Sequence, residues 1–560
     1  MTILFTVCAA VSAAFALSSF LPGSAAALVS LSLSFATALA FFIATRRLIK
    51  TPSRMSLSLV RKLSEYVPFI LFTAFIIRRS GDREGSFALD LVSALLWVAA
   101  LVSSLIIQWR LADKRLERFL PSCASLPASA VRKKTIITHL LEWADALLQA
   151  GCLVLLINLF IFQMYAIPSE SMVPEFMIGD RVVVLKTPSG PKFPLSEVGI
   201  PRMRDYHRGD IVVFSNPHYN DTRQDRIRSF ASQLVYMLTF TAVNINLDEY
   251  GAVKADPLVK RVCGVAGEKL MMVDGVLYAR TEGMDDYRPV SEDASWATWD
   301  IASLPRSQLA LVKNVPLSKE AFDLVTSVES KRANLDLEAA KTDAIALANR
   351  FDLLKPSRDS AFLPEEIFSP ARMELLSLFQ SNDDVTRVLL TTNGGGRWFR
   401  DFMTSWTLSS DRSSLYEKRA RNLDILIKLT FGKLVVRNAQ LFYANATAES
   451  FSADEERRAL LAEADSWRLY LAINDQRNMN EFPKDQADFI PADCFFLMGD
   501  NRFNSLDMRH SYTVKLSRLD AKNPYSITYR SNIDPQYVPI NRILGTAAFR
   551  FWPPSRIGVP

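Results

Sequence analysis

Two serines one residue apart, Ser169 and Ser171, lie in the stretch Ile167-Pro-Ser-Glu-Ser-Met-Val-Pro-Glu-Phe-Met-Ile-Gly-Asp180, bracketed by Pro168 and Pro174. The stretch follows a long apolar run with no polar spacer. A linker would use the same residues, since Ser and Pro are common where a helix stops. The chemical alternative is nucleophilic catalysis. A hydroxyl is a poor nucleophile at neutral pH and needs an adjacent base. The familiar base is histidine, but His139, His207, His218 and His510 are scattered singly. A lysine can serve if burial lowers its pKa far enough to leave some neutral amine. Lowering it from ~10.4 by roughly 2–3 units corresponds to about 3–4 kcal/mol, which an apolar pocket has to supply. Lys260 fits, set between Pro257-Leu-Val259 and Val262-Cys-Gly-Val265 in a β-type run. Taken alone, the same lysine reads as an edge-strand residue with a solvated head.

Four boxes in order change that balance: IPSESMVPEFMIGD (167–180), RGDIVVF (208–214), KRVCGVAGE (260–268) and GDNRFNSLDMR (499–509), all after an apolar span. Together they closely resemble the boxes of bacterial type I signal peptidases, the membrane-bound Ser/Lys leader peptidases of the S26 type. The resemblance covers about 166–280 and 494–553. By motif position it implies Ser171 as nucleophile and Lys260 as general base. Ser169 matches the serine whose hydroxyl joins the Ser171 N–H in the oxyanion hole, where losing one donor typically costs 10²–10³ in rate. Ser505 matches the serine that hydrogen-bonds and orients the lysine. Asp507 and Arg509 match the pair that holds that serine's loop, Gly499, Asp500 and Asn501 match its turn, and Arg261 matches the lysine's basic neighbour. Asp210 reads as a turn or ion-pair residue.

The chain departs from the family at Glu175-Phe176, where Thr-Leu is usual, and at Phe503, where an acid is often seen. Phe176 keeps an apolar wall, whereas Glu175 is expected to bring a charge near the cleft. Glu170, between the serines, stands where variability is expected.

The resemblance implies preprotein substrates with small residues at the first and third positions before the cut, as in A-x-A. It implies no cofactor. The multi-span N-terminus and the helical insertion fall outside the resemblance; apolar spans and basic loops imply a multi-pass protein of the cytoplasmic (inner) membrane with its catalytic domain on the extracytoplasmic side. Rival readings are a self-cleaving repressor-type Ser/Lys peptidase, for which no helix-turn-helix is seen, and a Ser/His peptidase, which would carry His at position 260. From a different class comes a membrane scaffold with a degenerate peptidase domain whose insertion binds a partner. Intact Ser171 and Lys260 argue against it, but leave the insertion free for such a second role.

The elements that must position these residues divide the chain in three. The expected fold is a multi-span helical membrane region (1–165), then an all-β antiparallel catalytic domain (166–280 and 491–560) carrying a mostly α-helical insertion (281–490). Residues 1–45 hold no charged side chain, about twice what one span needs, with Leu21-Pro-Gly-Ser24 as a turn. Spans are expected at 3–20, 25–45, 65–78, 87–108 and 146–165. A signal peptide at the start is disfavoured, because no basic residue opens the chain. Tyr66–Ile77 is short for a span, a length more usual for a buried or re-entrant helix.

Loops kept in the cytoplasm are enriched in Lys and Arg. Six basic residues fall in 46–64 (Arg46, Arg47, Lys50, Arg54, Arg61, Lys62) and seven in 110–142 (Arg110, Lys114, Arg115, Arg118, Arg132, Lys133, Lys134). Both loops then face the cytoplasm, the short segment pairs with 87–107, and the peptidase region is external. Arg78, Arg79 and Arg83 mildly break the rule.

Strands are expected in 181–186, 210–215, 258–265, 269–279, 494–500 and 545–552 from their Val, Ile and aromatic content. Helices are expected at Ser318–Val325, Leu335–Leu354, Ala371–Gln380 and Asp454–Asn474, the last with a Ser452/Glu455 capping box. Gly394-Gly-Gly396 reads as a flexible loop, not a phosphate cradle. Phe230–Ile245 reads as a buried strand pair, with a surface hairpin or helix dipping into the lipid interface beside the last span as the alternative. The net charge of +6 is accounted for by the two basic loops and calls for no nucleic acid. Five cysteines without C-x-x-C spacing indicate neither zinc nor a disulfide framework, and with four scattered histidines no metal centre is expected.

Overall fold

Apolar runs flanked by basic residues form helices, and the computed structural model carries five long ones in the first 160 residues. It describes residues 1–19, 24–81, 86–124, 136–219, 222–239, 243–248, 251–354, 361–362, 373–408, 414–485 and 488–560. The helices are α1 (Thr2–Ser18), α2 (Ala25–Lys50), α3 (Arg54–Gly81), α4 (Phe87–Leu111) and a fifth over Ile136–Phe160. Ser24 and Ser86 cap α2 and α4 by accepting from Ala27 N and Leu89 N. The helices α2, α4 and Ile136–Phe160 are long and apolar enough to cross a membrane. Tyr66–Ile77 is not a short element but the apolar half of the 28-residue α3. Pro68 sits inside α3, and its carbonyl accepts from Trp97 Nε1 of α4 at 2.8 Å. Phe5, Phe41, Val67, Leu71, Phe75 and Trp97 share one buried core among these helices. The expected turn at Leu21–Ser24 falls mostly outside the described residues.

The expected span 146–165 is displaced. Its helix runs Ile136–Phe160, and Phe162–Ala166 is strand β1 instead. Pairing with β2 (Arg181–Leu185) accounts for this: Phe162 opposes Leu185 and Ala166 opposes Arg181, so the backbone groups of 162–166 are satisfied in a sheet.

Beyond it lie β3 (Ile211–Phe214), β4 (Leu258–Gly264), β5 (Glu268–Val273) and β6 (Val276–Thr281). A curled antiparallel sheet orders its seven strands as β1, β2, Ile543–Trp552, β3, β4, Cys494–Met498 and Val538–Pro539. β3 shows why its sequence is apolar throughout. Ile211 and Val213 enter one core with Met172, Phe176, Val182 and Val184, while Val212 and Phe214 enter another with Val262, Leu270 and Met498.

The run 269–279 is a hairpin and not one strand. Asp274 and Gly275 both take positive φ (53° and 82°), the pair of conformations that a tight two-residue turn requires. The strands Met479–Phe482, β5, β6 and Arg288–Pro289 make a second antiparallel sheet, and His510–Arg518 pairs with Thr528–Ile533 in a third.

Helices dominate between the two parts of the sheet: Lys319–Ala333, Leu337–Leu354, Asn382–Thr391, Gly395–Thr404, Leu415–Tyr443 and Glu455–Arg477. Their core holds Phe351, Phe399, Phe402, Phe431, Leu434 and Trp467. Two expectations change here. The capping box belongs to Ser414 and Glu417 at the start of the 29-residue helix. At Glu455–Arg477 the cap is Asp454, whose carboxylate accepts from Arg457 N, so Ser452 has no such role. Gly394 precedes, and Gly395 and Gly396 begin, the Gly395–Thr404 helix.

Phe230–Ile245 is not a strand pair, since Arg223–Leu238 is a helix. Starting at Arg223 restores the helical spacing of Ile227, Phe230, Ala231 and Leu234, which a reading from Phe230 onward hides. Residues 240–242 lie outside the described ones. Ala371 and Arg372 do as well, so that helix is described over Leu375–Gln380.

Candidate active site

The box 167–180 leaves β1 and folds back on itself before β2: Ile167 N donates to the Asp180 carbonyl and Gly179 N to the Ile167 carbonyl. Met172 and Phe176 anchor it in the core under β2 and β3. On this anchored loop Ser171 is half-buried and Ser169 exposed. Lys260 comes from the centre of β4, between β3 and the Cys494–Met498 strand, so it is not an edge-strand residue. Its ammonium end donates to Ser171 Oγ at 2.7 Å.

Lys260 is 3% exposed. Burial pulls its pKa down to about 8. The negative charges of Asp507 and Asp500 pull the other way, and Arg509 adds to the lowering. The arrangement is that of a nucleophile beside a base that is partly neutral near pH 7. Ser169 Oγ donates to Ser171 Oγ at 3.4 Å. Among the described residues, no hydrogen bond is formed by the Ser171 N–H, which leaves a backbone donor beside the hydroxyl.

The box 499–509 closes over this pair. Gly499 is required by contact: a Cβ there would come within 2.3 Å of Ser505 Oγ and 2.4 Å of the Ser171 carbonyl. Asn501 N donates to the Ser171 carbonyl at 3.1 Å, and Asn501 Nδ2 donates to the Glu170 carbonyl at 3.0 Å. Arg261 meets Asp500 with two bonds, Nε at 2.8 Å and Nη2 at 2.6 Å, and donates to the Gly209 carbonyl. Arg509 meets Asp507 likewise, at 2.8 and 2.9 Å, with both side chains fully buried. Burial would raise the Asp507 pKa, but Arg509, His510 and the Gly499 N–H hold it well below the usual carboxylate range. Asp210 accepts from His207 N and pairs with Arg204, a turn and ion-pair role.

Ser505 differs from expectation. Its hydroxyl is buried against Gly499 and has no hydrogen-bond partner among the described residues. Lys260 donates to Ser171 instead, so the expected Ser505–Lys260 bond is not formed here. Glu175 differs too. Its carboxylate pairs with Arg550 at 3.3 Å, and its carbonyl accepts from Arg556 at 2.9 Å, so its charge is matched on the spot. Cys263 and Cys494 are both buried and free.

Two residues at the site, Arg502 and Thr298, went unnoticed in the sequence, and Glu170 was given no structural role there. Glu170 is buried, and its carboxylate accepts from Lys313 N, from Asn314 N at 3.2 Å and from Asn504 Nδ2 at 3.2 Å. Arg502, fully buried, pairs with Asp293 at 2.6 Å. Thr298 clamps the turn, donating from N to the Asp500 carbonyl and accepting from Arg502 N. Phe503, in place of the usual acid, packs on Trp299 (5.0 Å) and Phe322 (6.4 Å). Arg502 lies inside a recognised box, which was the available signal. Glu170 also lies inside a box, but its partners at 313, 314 and 504 are far away in the chain, and Thr298 lies in no box.

Residues 140–319 and 429–552, more than half of the chain, match the family model described as "Signal peptidase, peptidase S26". A signal peptidase I of Buchnera aphidicola subsp. Schizaphis graminum is 43% identical over 68 residues, 12% of this chain and 22% of that protein. One from Haemophilus influenzae is 28% identical over 137 residues, 24% of this chain and 36% of that protein. One from Pseudomonas fluorescens is 24% identical over 206 residues, 33% of this chain and 71% of that protein. The chain thus spans about a fifth of the Buchnera relative's length and about a third of the Haemophilus one's.

Proposed function

Because the chain belongs to the signal peptidase family, peptidase S26, we propose that it is a membrane-bound serine endopeptidase that removes N-terminal signal peptides from exported preproteins. The observation that carries this reading is the 2.7 Å contact between Lys260 Nζ and Ser171 Oγ, with the lysine pKa lowered to about 8. At pH 7 roughly one amine in ten is then neutral, against roughly one in several thousand at the reference pKa of ~10.4.

Neutral Lys260 takes the Ser171 proton as Oγ attacks the scissile carbonyl carbon. The oxyanion meets the Ser171 N–H and the Ser169 hydroxyl, which turns from Ser171 Oγ to the new charge. Collapse breaks the C–N bond, and the lysine's proton goes to the leaving amine. Water then attacks the acyl ester, giving its proton to Lys260, and the proton returns to the serine oxygen as the acid leaves. Asp500 with Arg261 and Asp507 with Arg509 are positioning residues that hold the 499–509 turn against the nucleophile loop. Ser505 packs within that turn against Gly499.

The preferred substrates are proposed to carry small residues before the cut, as in A-x-A. The protein is proposed to be multi-pass in the cytoplasmic membrane, with the peptidase region outside. Ser171 follows Phe160, the end of a membrane-length helix, by only eleven residues, so the site works at the depth where a precursor's apolar segment ends. The test is processing of an A-x-A precursor by Ser171→Ala and Lys260→Ala enzymes. Both are expected to lose activity by at least about 10³-fold. Near wild-type cleavage by either one would show that the dyad is wrong.

A further inference from the structure

A loop of the peptidase region is built into the helical bundle. Residues 191–199 close on themselves through a bridge between Lys192 and Gly199 and a 2.8 Å bond from Phe193 N to the Val198 carbonyl. Lys192 and Glu197 of this loop are exposed, but Phe193 and Val198 are members of the helices' own apolar core. The Phe193 ring stands 5.0 Å from Phe160 and 5.5 Å from both Phe75 and Trp97. Beside it Leu195 takes φ 61°, a left-handed conformation that a bulky side chain holds only where its surroundings impose it.

In that conformation the Leu195 carbonyl accepts from Arg79 Nε and Nη2 at 2.9 and 2.7 Å. Ser196 Oγ donates to Asp90 at 2.6 Å, and Asp90 in turn pairs with Arg78 and, at 3.3 Å, with Arg79. A second strut lies alongside: Arg223 donates to the Arg79 and Ser80 carbonyls, and Arg226 pairs with Glu197 at 3.3 Å. Buried charge and apolar packing together bind the loop to the ends of α3 and α4.

A catalytic region joined to the membrane only through residues 160–167 would pivot on that tether. Docked a second time by the 191–199 loop, it is fixed in height as well as in direction. We propose that this plug sets the distance of Ser171 from the hydrocarbon core and so makes the enzyme selective for the length of the apolar segment ahead of the cleavage site. The proposal rests on the signal-peptidase reading given above. The leverage is geometric, because one residue of extended chain moves a cleavage site by ~3.3 Å and one helical residue by ~1.5 Å.

The test uses the full chain in lipid nanodiscs, with wild type, Phe193→Ala and Ser196→Ala. Substrates are A-x-A precursors whose apolar segment is lengthened one residue at a time, and a soluble A-x-A peptide without that segment. Wild type is expected to show a length optimum. In the variants the ratio of best to worst precursor rate is expected to fall about tenfold, with the soluble peptide cleaved at an unchanged rate. An unchanged length profile in both variants overturns the plug alone, since the enzyme would still be a signal peptidase. Equal loss of soluble-peptide cleavage in both also overturns it, because the loop would then serve the site's own fold. A wild-type enzyme that cleaves none of the precursors overturns the underlying function and the selectivity with it.

Discussion

At the scale of single residues, the low pKa of Lys260 links activity and stability with opposite signs. Activity needs the neutral amine, so the rate is expected to rise with pH and level off above an apparent pKa of about 8. A rate that is flat from pH 6 to 9 would remove Lys260 from the base role. For stability, the folded pKa lies below the unfolded one of ~10.4, so the unfolded chain binds more protons between the two. Stability therefore rises with pH from about 8 to ~10.4. Below about 8 the whole cost of burying the ammonium, roughly 3 kcal/mol, is present. An inactive Lys260→Met protein is expected to be more stable than wild type at pH 7 by up to that amount. The difference should shrink above ~10.4, as read from denaturation curves at both pH values. Ser171, Ser169 and Lys260 were legible because each sits in a short box whose residues are neighbours in the chain. Glu170 shares the 167–180 box, but its structural role was not legible, since its carboxylate accepts from N–H groups of residues 313 and 314 and from the amide of Asn504.

At the scale of elements, the loops around the site are held by ion pairs of different worth. Arg509 and Asp507 are both fully buried, so Asp507→Asn leaves an unpaired buried guanidinium and is expected to cost about 3–5 kcal/mol. Because the Asp507 pKa is lowered in the fold, the stabilisation is present above the unfolded value of ~3.9 and is lost as pH falls below it. Acid unfolding should thus begin at higher pH in variants that weaken Arg509. The Glu175–Arg550 pair is 30% and 14% exposed at its side chains, and Arg550 also has Asp180 at 3.9 Å. Glu175→Gln is expected to cost less than ~1 kcal/mol and to leave cleavage-site choice unchanged. A changed substrate spectrum would restore Glu175 to the cleft. β3 was legible because both its faces are buried and its sequence is apolar throughout, and β4 because Leu258, Val259, Val262 and Cys263 flank the buried Lys260 and Arg261. The His510–Arg518 strand was missed although Tyr512, Val514 and Leu516 alternate with Thr513 and Lys515; that apolar face is exposed and covers no core. The helix 415–443 was missed for the opposite reason. It is buried on several sides, including Arg419, Asp424, Lys428 and Asn438, so no single apolar stripe marks it.

At the scale of the whole molecule, the ion pairs sort the helix ends into two groups and bear on how the chain crosses a membrane. Near the start of α3, Lys62 pairs with Asp145 near the start of the Ile136–Phe160 helix. At the other end of α3, Arg78 and Arg79 meet Asp90 at the start of α4, while Phe160 meets Phe193. The helix α3 therefore runs parallel to Ile136–Phe160 and antiparallel to α4, and at 28 residues it is ~42 Å long, enough to reach from one face of a bilayer to the other. This supports five crossings, with the basic loops 46–64 and 110–142 on one side and the peptidase region on the other. It also accounts for Arg78 and Arg79 on the side where basic residues are scarce: they are bound to Asp90 and to a carbonyl of the 191–199 loop, so the usual retention of loose cationic loops does not describe them. Two exposed positions test the arrangement. Ser86 precedes α4 at the Arg79 end, and Ser122 follows α4 at the other. In intact cells Ser86→Cys is expected to react with a membrane-impermeant thiol reagent, and Ser122→Cys only once the membrane is opened. The native cysteines provide little background, as four of the five are buried and Cys152 lies within the Ile136–Phe160 helix. Labelling of Ser122→Cys in sealed cells, with Ser86→Cys protected, would invert the molecule. The proposed site would then face the cytoplasm, where no exported precursor emerges, and the five-crossing arrangement would fall together with the function built on it.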